Sequence, residues 1–155
     1  VTGTGPIAGP VRGFFEVQPR IGERNDSGDV DMRLLIVRAA LGIEVLPHWS
    51  LWAGYGYTPT FHPDRDEHRV FQQSLYERPL GPLNFSLRTR LEQRGFEDAE
   101  HASLRLRNQV RFAYPLPRWP RRSRVTADEF FVNLNTVTDA PVSGFDQNRY
   151  FVGLS

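Results

Sequence analysis

The sequence contains no cysteine, so it cannot form a disulfide framework, a thiol nucleophile or a cysteine-bound metal site. It also contains no lysine: all 19 basic residues are arginine, which forms planar bidentate contacts that lysine cannot form. No run of about 18 apolar residues occurs, which argues against a transmembrane helix. The formal net charge of +1 and the lack of a glycine-rich phosphate loop predict no nucleic acid partner.

The chain does contain alternating polar and apolar residues, which is the pattern of β-strands. The clearest segment is Asn84–Arg94, where Phe85, Leu87 and Leu91 occupy one parity. Its opposite parity is Asn84, Ser86, Arg88, Arg90, Glu92 and Arg94. The segment Ser103–Tyr114 repeats the pattern. A helix, with its period of 3.6, would scatter both sets around its axis, so the alternation predicts two strands.

Six further strands are predicted, which makes eight in all. They are Phe14–Ile21, Met32–Leu46, Trp49–Thr58, Glu67–Arg78, Arg124–Asn135 and Asp146 to the end. Glu67–Arg78 alternates poorly, so its orientation is the least defined. Residues 1–13 are rich in glycine and proline and predict a flexible lead-in, which leaves 14–155 as one incomplete β-barrel domain.

The connections between these strands fall into two alternating sets. The first set is long or acidic: Gly22–Asp31, Pro59–Asp66, Gly95–His101 and Thr136–Phe145. The second set is short or basic: Pro47-His48, Pro79–Leu83 and Pro115–Ser123. Long loops at one end and short turns at the other are typical of outer-membrane barrels.

The polar parity also favours a membrane barrel. It is rich in arginine, glutamine and asparagine, whereas a solvated surface is usually rich in lysine and glutamate. Aromatic residues such as Trp49, Tyr57 and Tyr114 gather near strand ends, as in interfacial girdles. The alternative is a soluble, lipocalin-like ligand-binding barrel, in which the apolar parity would line the interior.

Several ordered segments resemble the family catalogued as domain of unknown function 2490, predicted Gram-negative outer-membrane proteins. They are Gly54–Tyr57, Glu67–Gln73, Arg88–Arg94, Arg105–Arg107, Glu129–Phe131, and Phe145–Arg149 with Gly153. The resemblance implies an all-β, antiparallel, up-and-down transmembrane barrel. It implies no activity. The family usually continues through another hairpin, so we expect a fragment that lacks its C-terminal strands, with eight strands visible and ten in the full protein.

The expected location is therefore the bacterial outer membrane, with outer-membrane lipid and lipopolysaccharide as partners, although no signal peptide is visible in this chain. A small-molecule ligand, if there is one, is not identified by the sequence. No cofactor and no bound metal are expected. The leading function is a structural barrel or a narrow passage; the alternatives are an outer-membrane lipid hydrolase and the soluble binder.

Charged residues of the polar parity are the main chemical feature. The candidates for a network in the lumen are Arg88, Arg90, Glu92, Arg94, Arg105, Arg107, Arg111, Glu129 and Arg149. Glu44 is a further candidate for neutralising the arginines. In a narrow barrel such side chains would pair with one another; in a wider one they would line an anion path.

Two other patterns carry weaker hypotheses. His48-Trp-Ser50 and His101-Ala-Ser103 have the His-x-Ser spacing of outer-membrane lipid hydrolases, but no third catalytic member is evident. The segment His62–His68 contains imidazoles and carboxylates that could bind a divalent cation. Pro63 and Arg65 argue against a compact site there.

Overall fold

The structure, a computed structural model, describes residues 1–23, 30–61, 64–96, 101–136 and 142–155. No helix occurs in these ranges, and so none that could cross a membrane. Nine β-strands contain most of the described residues. They are β1 (Thr2–Ala8), β2 (Val11–Glu23), β3 (Val30–Leu46), β4 (Trp49–Phe61), β5 (Asp64–Leu80), β6 (Leu83–Phe96), β7 (Ser103–Leu116), β8 (Trp119–Asn133) and β9 (Gly144–Leu154).

The strands form one sheet in the order of the chain, and each strand is antiparallel to the next. The predicted all-β, up-and-down antiparallel architecture is therefore confirmed, with nine strands rather than eight. Within the described ranges no pairing joins β1 to β9. Closure into a barrel of ten strands remains a prediction.

The ninth strand corrects the expectation for residues 1–13. Instead of a flexible lead-in, Thr2–Ala8 forms β1 and pairs with the first part of β2. The chain reverses at Gly9-Pro10, where Gly9 has a φ of 52°. Glycine adopts this left-handed conformation without steric cost, and proline fixes the φ of the next residue. The dipeptide is therefore a turn between two strands.

Four two-residue turns lie at one end of the sheet, here called the short-turn end. They are Gly9-Pro10, Pro47-His48, Gly81-Pro82 and Pro117-Arg118. His48 and Gly81 have φ values of 68° and 58°, which reverse the chain tightly. The connections at the opposite end contain residues outside the described ranges. The alternation of connections along the sequence thus corresponds to the two ends of the sheet.

The sheet is curled, so its two faces differ. The face that carries Phe71 and Arg90, the inner face, is concave: one cavity on it is lined by Thr4 of β1 and by Gln109 of β7. The opposite, outer face carries Leu87 and the other apolar residues of the clear alternating segments. The curvature brings side chains from distant strands together over the inner face.

Two glycines allow large aromatic rings to lie against the inner face. A Cβ atom on Gly42 would lie 2.3 Å from the indole of Trp52 on the neighbouring strand. A Cβ atom on Gly54 would lie 2.4 Å from the ring of Phe71. Trp52 and Phe71 are both buried and pack with Ala40. This apolar cluster fills part of the concave face beside the charged residues of β5–β8.

Candidate functional site

Arginines and glutamates of four adjacent strands meet on the inner face. The antiparallel register places Phe71, Glu92 and Arg105 in one row across β5, β6 and β7. The next row toward the short-turn end contains Arg90 and Arg107. Side chains two residues apart on a strand point to the same face. The charged residues of Asn84–Arg94 and Ser103–Tyr114 therefore all lie on the inner face.

Glu92 is the centre of this network and is fully buried, with an exposed fraction of 0%. Its Oε2 accepts hydrogen bonds from Nε and Nη2 of Arg105, at 3.1 and 2.7 Å. Its Oε1 accepts from Nη1 of Arg107 at 2.6 Å and from Nη1 of Arg69 at 3.3 Å. A carboxylate removed from water needs such charge-assisted bonds, because an unpaired buried charge is strongly unfavourable.

Glu129 on β8 is the second acceptor. Its Oε1 accepts from Nη2 of Arg88 at 2.6 Å, and from Nη2 and Nε of Arg107 at 2.8 and 3.1 Å. Arg107 therefore bonds both Glu92 and Glu129 and joins the two clusters. The link extends from β5 to β8 without interruption.

Glu67 on β5 is the third acceptor and lies nearer the end of the sheet opposite the short-turn end. Arg94 donates to it through Nε at 2.9 Å and Nη2 at 2.8 Å, which is a bidentate pair. Arg69 also bonds Glu67 and thereby connects it to Glu92. A separate pair, Arg38 with Glu16 at 2.9 Å, lies on β3 and β2.

Two buried phenylalanines support the guanidinium groups. The Cζ of Arg90 lies 4.4 Å from the ring centroid of Phe71. The ring of Phe131 is approached by Arg105, Arg107 and Arg149, at 5.3, 4.7 and 4.8 Å. The face of an aromatic ring attracts cations, and this attraction is stronger away from water.

The network carries more positive than negative charge. Six arginines are linked to the three carboxylates Glu67, Glu92 and Glu129, which gives a formal excess of +3. The six are Arg69, Arg88, Arg90, Arg94, Arg105 and Arg107. Among them Arg90 has the weakest ion pair, since its Nη1 lies 3.7 Å from Oε1 of Glu92. Its Nε and Nη2 donate instead to the neutral Oε1 of Gln73.

Seven of the nine residues chosen from the sequence lie together in this network. The two others lie on the same face: Arg149 stacks on Phe131 and donates to Gln147 at 3.3 Å, whereas Arg111 is half-buried and has no ion pair within the described ranges. The expectation for Glu44 needs correction. It pairs with Arg12, and both side chains are about half exposed, at 49% and 45%.

Glu67 and Arg69 also belong to the network, although the sequence did not predict them as members. Both lie on β5, whose inner-face residues alternate with the polar residues Gln72 and Ser74 on the outer face. The polarity contrast is therefore lost along this strand. Their membership could have been inferred from the turn at Gly81. A two-residue turn there sets the register of β5 against β6 and places Arg69 opposite Arg94.

The His-x-Ser triplets do not form hydrolase geometry. Ser103 is fully buried and points inward, and its Oγ has no partner within the described part of the chain, while His101 is exposed. At the other triplet, Ser50 accepts a hydrogen bond from Trp52 Nε1 at 2.8 Å. His48 is exposed in a tight turn, with its positive φ.

The segment His62–His68, the candidate cation site, is described only in part, because His62 and Pro63 lie outside the described residues. In the described part, the hydroxyl of Tyr57 donates to Asp66, and His68 hydrogen-bonds the hydroxyl of Tyr55. No group of three or more potential metal ligands occurs among the described residues.

Comparisons with known proteins give a family but no activity. A family model described as "Protein of unknown function (DUF2490)" matches residues 1–155. An uncharacterized protein of Methylorubrum extorquens is 38% identical over 152 residues, which covers 94% of this chain and 64% of the relative. The chain thus spans slightly less than two thirds of that relative's length. No solved structure matches.

Proposed function

Because this chain belongs to the family described as Protein of unknown function (DUF2490), we propose its function from its own geometry: it is a non-enzymatic β-barrel protein of the bacterial outer membrane. The network around Glu92 acts as a structural core that ties the strands together from inside. Lipid and lipopolysaccharide surround the outer face.

The observation that carries this proposal is the inverted polarity of the curled sheet. The concave face holds the buried charges, whereas Leu87 and Phe112 on the outer face are 39% and 36% exposed. A soluble barrel needs the reverse arrangement, with apolar side chains enclosed and charges in water. An apolar exterior around a polar interior suits a hydrocarbon solvent.

Aromatic residues on the outer face support the same proposal. Trp49, Tyr76, Phe85 and Phe112 form a chain of ring contacts across β4–β7, with centroids 5.4 to 6.4 Å apart, toward the short-turn end. Tyr57 lies toward the opposite end of β4. The eight residue steps from Trp49 to Tyr57 span roughly 26 Å along the strand at a rise of about 3.3 Å each. At the strand tilt of about 35–45° found in such barrels, this is a height of about 20 Å, which is close to the apolar band of about 25 Å between aromatic girdles.

Several polar groups on the outer face of β4–β7 are paired. The side-chain amides of Gln72 and Gln93 bond each other reciprocally. The hydroxyl of Thr89 donates to Oδ1 of Asn108 at 2.7 Å, and Trp49 donates to Ser74. Unpaired polar groups are costly in hydrocarbon, so this mutual satisfaction suits a lipid-facing surface.

The narrow-passage form of the leading function receives specific support. A narrow anion passage is favoured by the excess of arginine in the network. The lipocalin-like alternative requires an apolar interior, and the charged inner face argues against it. The buried position of Ser103 argues against the hydrolase.

Cysteine labelling of whole cells tests the location and the topology together. The chain has no native cysteine, so His101→Cys and His48→Cys each supply a single thiol at opposite ends of the sheet. A membrane-impermeant maleimide should label His101→Cys in intact cells and His48→Cys only after the outer membrane is opened. Equal labelling of both variants, or recovery in the soluble fraction, would contradict the proposal.

A further inference from the structure

A cavity of about 310 Å³ lies on the inner face between β1–β4 and β5–β7. The apolar part of its lining, here called the apolar wall, consists of Phe14, Ala40, Trp52, Phe71 and Leu75. The polar part, the polar wall, consists of Arg38, Gln73, Arg88, Arg90 and Gln109, with Glu16 beside Arg38. Its size is at the lower end of the range of small-molecule sites, which begins at about 300 Å³.

The arginines of the polar wall have unused bonding capacity. The Nε of Arg88 is buried and has no hydrogen-bond partner among the residues that the structure describes. Arg90 donates to the neutral oxygen of Gln73, and its Nη1 lies beyond hydrogen-bond distance from Glu92. Arg38 is neutralised by Glu16. Arg88 shares the single carboxylate of Glu129 with Arg107, and Arg90 has only its distant contact with Glu92. The excess positive charge of the cavity therefore lies at Arg88 and Arg90.

We propose that this cavity binds a small organic carboxylate, with its negative group on Arg88 and Arg90 and its apolar body against Trp52 and Phe71. A carboxylate accepts two hydrogen bonds from guanidinium groups in the planar geometry that arginine favours. The apolar wall adds burial of an aromatic ring or short acyl chain. An inorganic anion would satisfy the charge but leave that wall uncovered.

This inference goes beyond the structural role proposed above and requires only that the inner face be enclosed. The test uses the folded chain in detergent micelles, with fluorobenzoate as the probe and fluorine NMR as the readout. The neutral analogue fluorobenzyl alcohol has a similar body and no charge. We expect saturable binding of fluorobenzoate and binding of the alcohol that is weaker by roughly tenfold or more.

Three variants locate the site. Arg90→Gln should weaken fluorobenzoate binding by roughly tenfold, because it removes a charge-assisted bond. Leu75→Trp keeps every charge and should abolish binding, because the larger side chain fills the cavity. Arg111→Gln, on the same face but outside the cavity lining, is the matched control and should bind like the original chain.

Circular dichroism verifies that each variant is folded, and if Arg90→Gln does not fold, Leu75→Trp decides the question. Absence of fluorobenzoate binding, equal binding of the alcohol, or unchanged binding in Leu75→Trp would each overturn the proposal. None of these three outcomes bears on membrane location, which the whole-cell labelling measures independently.

Discussion

Glu92 accepts bonds from three arginines on the two neighbouring strands β5 and β7, although its side chain is completely buried. Burying a carboxylate among arginines involves large opposing terms: the loss of hydration and the attraction of the ions. Once the network is formed, removing one partner leaves the others charged and unpaired. The stability of the inner face therefore depends on each carboxylate far more than a surface ion pair would suggest.

Glu92→Gln tests this dependence. We expect the free energy of unfolding to fall by about 3–5 kcal/mol, because Arg69, Arg105 and Arg107 lose their shared counter-charge in a buried setting. Urea unfolding from lipid vesicles measures the change. The matched control is Glu44→Gln, whose half-exposed pair with Arg12 should contribute no more than about 1 kcal/mol. Equal losses in the two variants would show that the network adds nothing beyond surface pairing.

Gly42 gives a second prediction at a single residue. Gly42→Ala would place a methyl group 2.3 Å from the buried indole of Trp52, so the indole must move. We expect a loss of about 1–3 kcal/mol, typical of overpacking, with a shift in tryptophan fluorescence. Gly5→Ala is the control, since a Cβ atom there meets nothing within 4 Å. If both variants unfold at the same urea concentration, the close approach of Trp52 is not important for packing.

At the scale of strands, β6 and β7 could be predicted because their two parities differ sharply in polarity. On β5 the contrast fails, since Gln72 and Ser74 occupy the outer face. Those side chains are tolerated there because Gln93 and Trp49 bond them. Such cross-strand partners are unknown until the register is known. Arg69, one of the partners of Glu92, was not predicted for the same reason, whereas Arg105 and Arg107 were.

Strand β1 was missed for a different reason. Its composition, with Gly3, Gly5 and Pro6, is poor in strand-forming residues. The turn that follows was nevertheless visible: Gly9-Pro10 has the same two residues as Gly81-Pro82, and both glycines have a positive φ. A search for repeated turn dipeptides would have indicated a hairpin at the start of the chain.

Leu106→Arg tests the outer face of β7 in the middle of the sheet. If that face contacts lipid, folding into vesicles should be less favourable by about 2–4 kcal/mol, as for arginine near the bilayer centre. Leu46→Arg, beside the turn at His48, is the control and should cost about 0–1 kcal/mol, as near an interface. If Leu106→Arg leaves the free energy of folding into vesicles unchanged, the main support for a lipid-facing outer surface is lost.

At the scale of the whole molecule, the inner face of the curled sheet is charged and crowded by its own side chains. We expect planar bilayers containing the protein to show a conductance well below that of open porins, because the network occupies the space that a channel would need. Any residual current should favour anions, given the formal excess of +3 on the network. Current measured under a salt gradient gives the selectivity; a large conductance or a preference for cations would contradict this expectation.

Arg107 has a consequence for how this protein can change over evolutionary time. Because one guanidinium bonds both Glu92 and Glu129, a substitution at Arg107 removes a partner from two buried carboxylates at once. A substitution at either glutamate leaves surplus arginine. The first step of any replacement is therefore disfavoured, and viable lineages should exchange these three positions as a block. Sequences of relatives should accordingly show the trio either intact or replaced together.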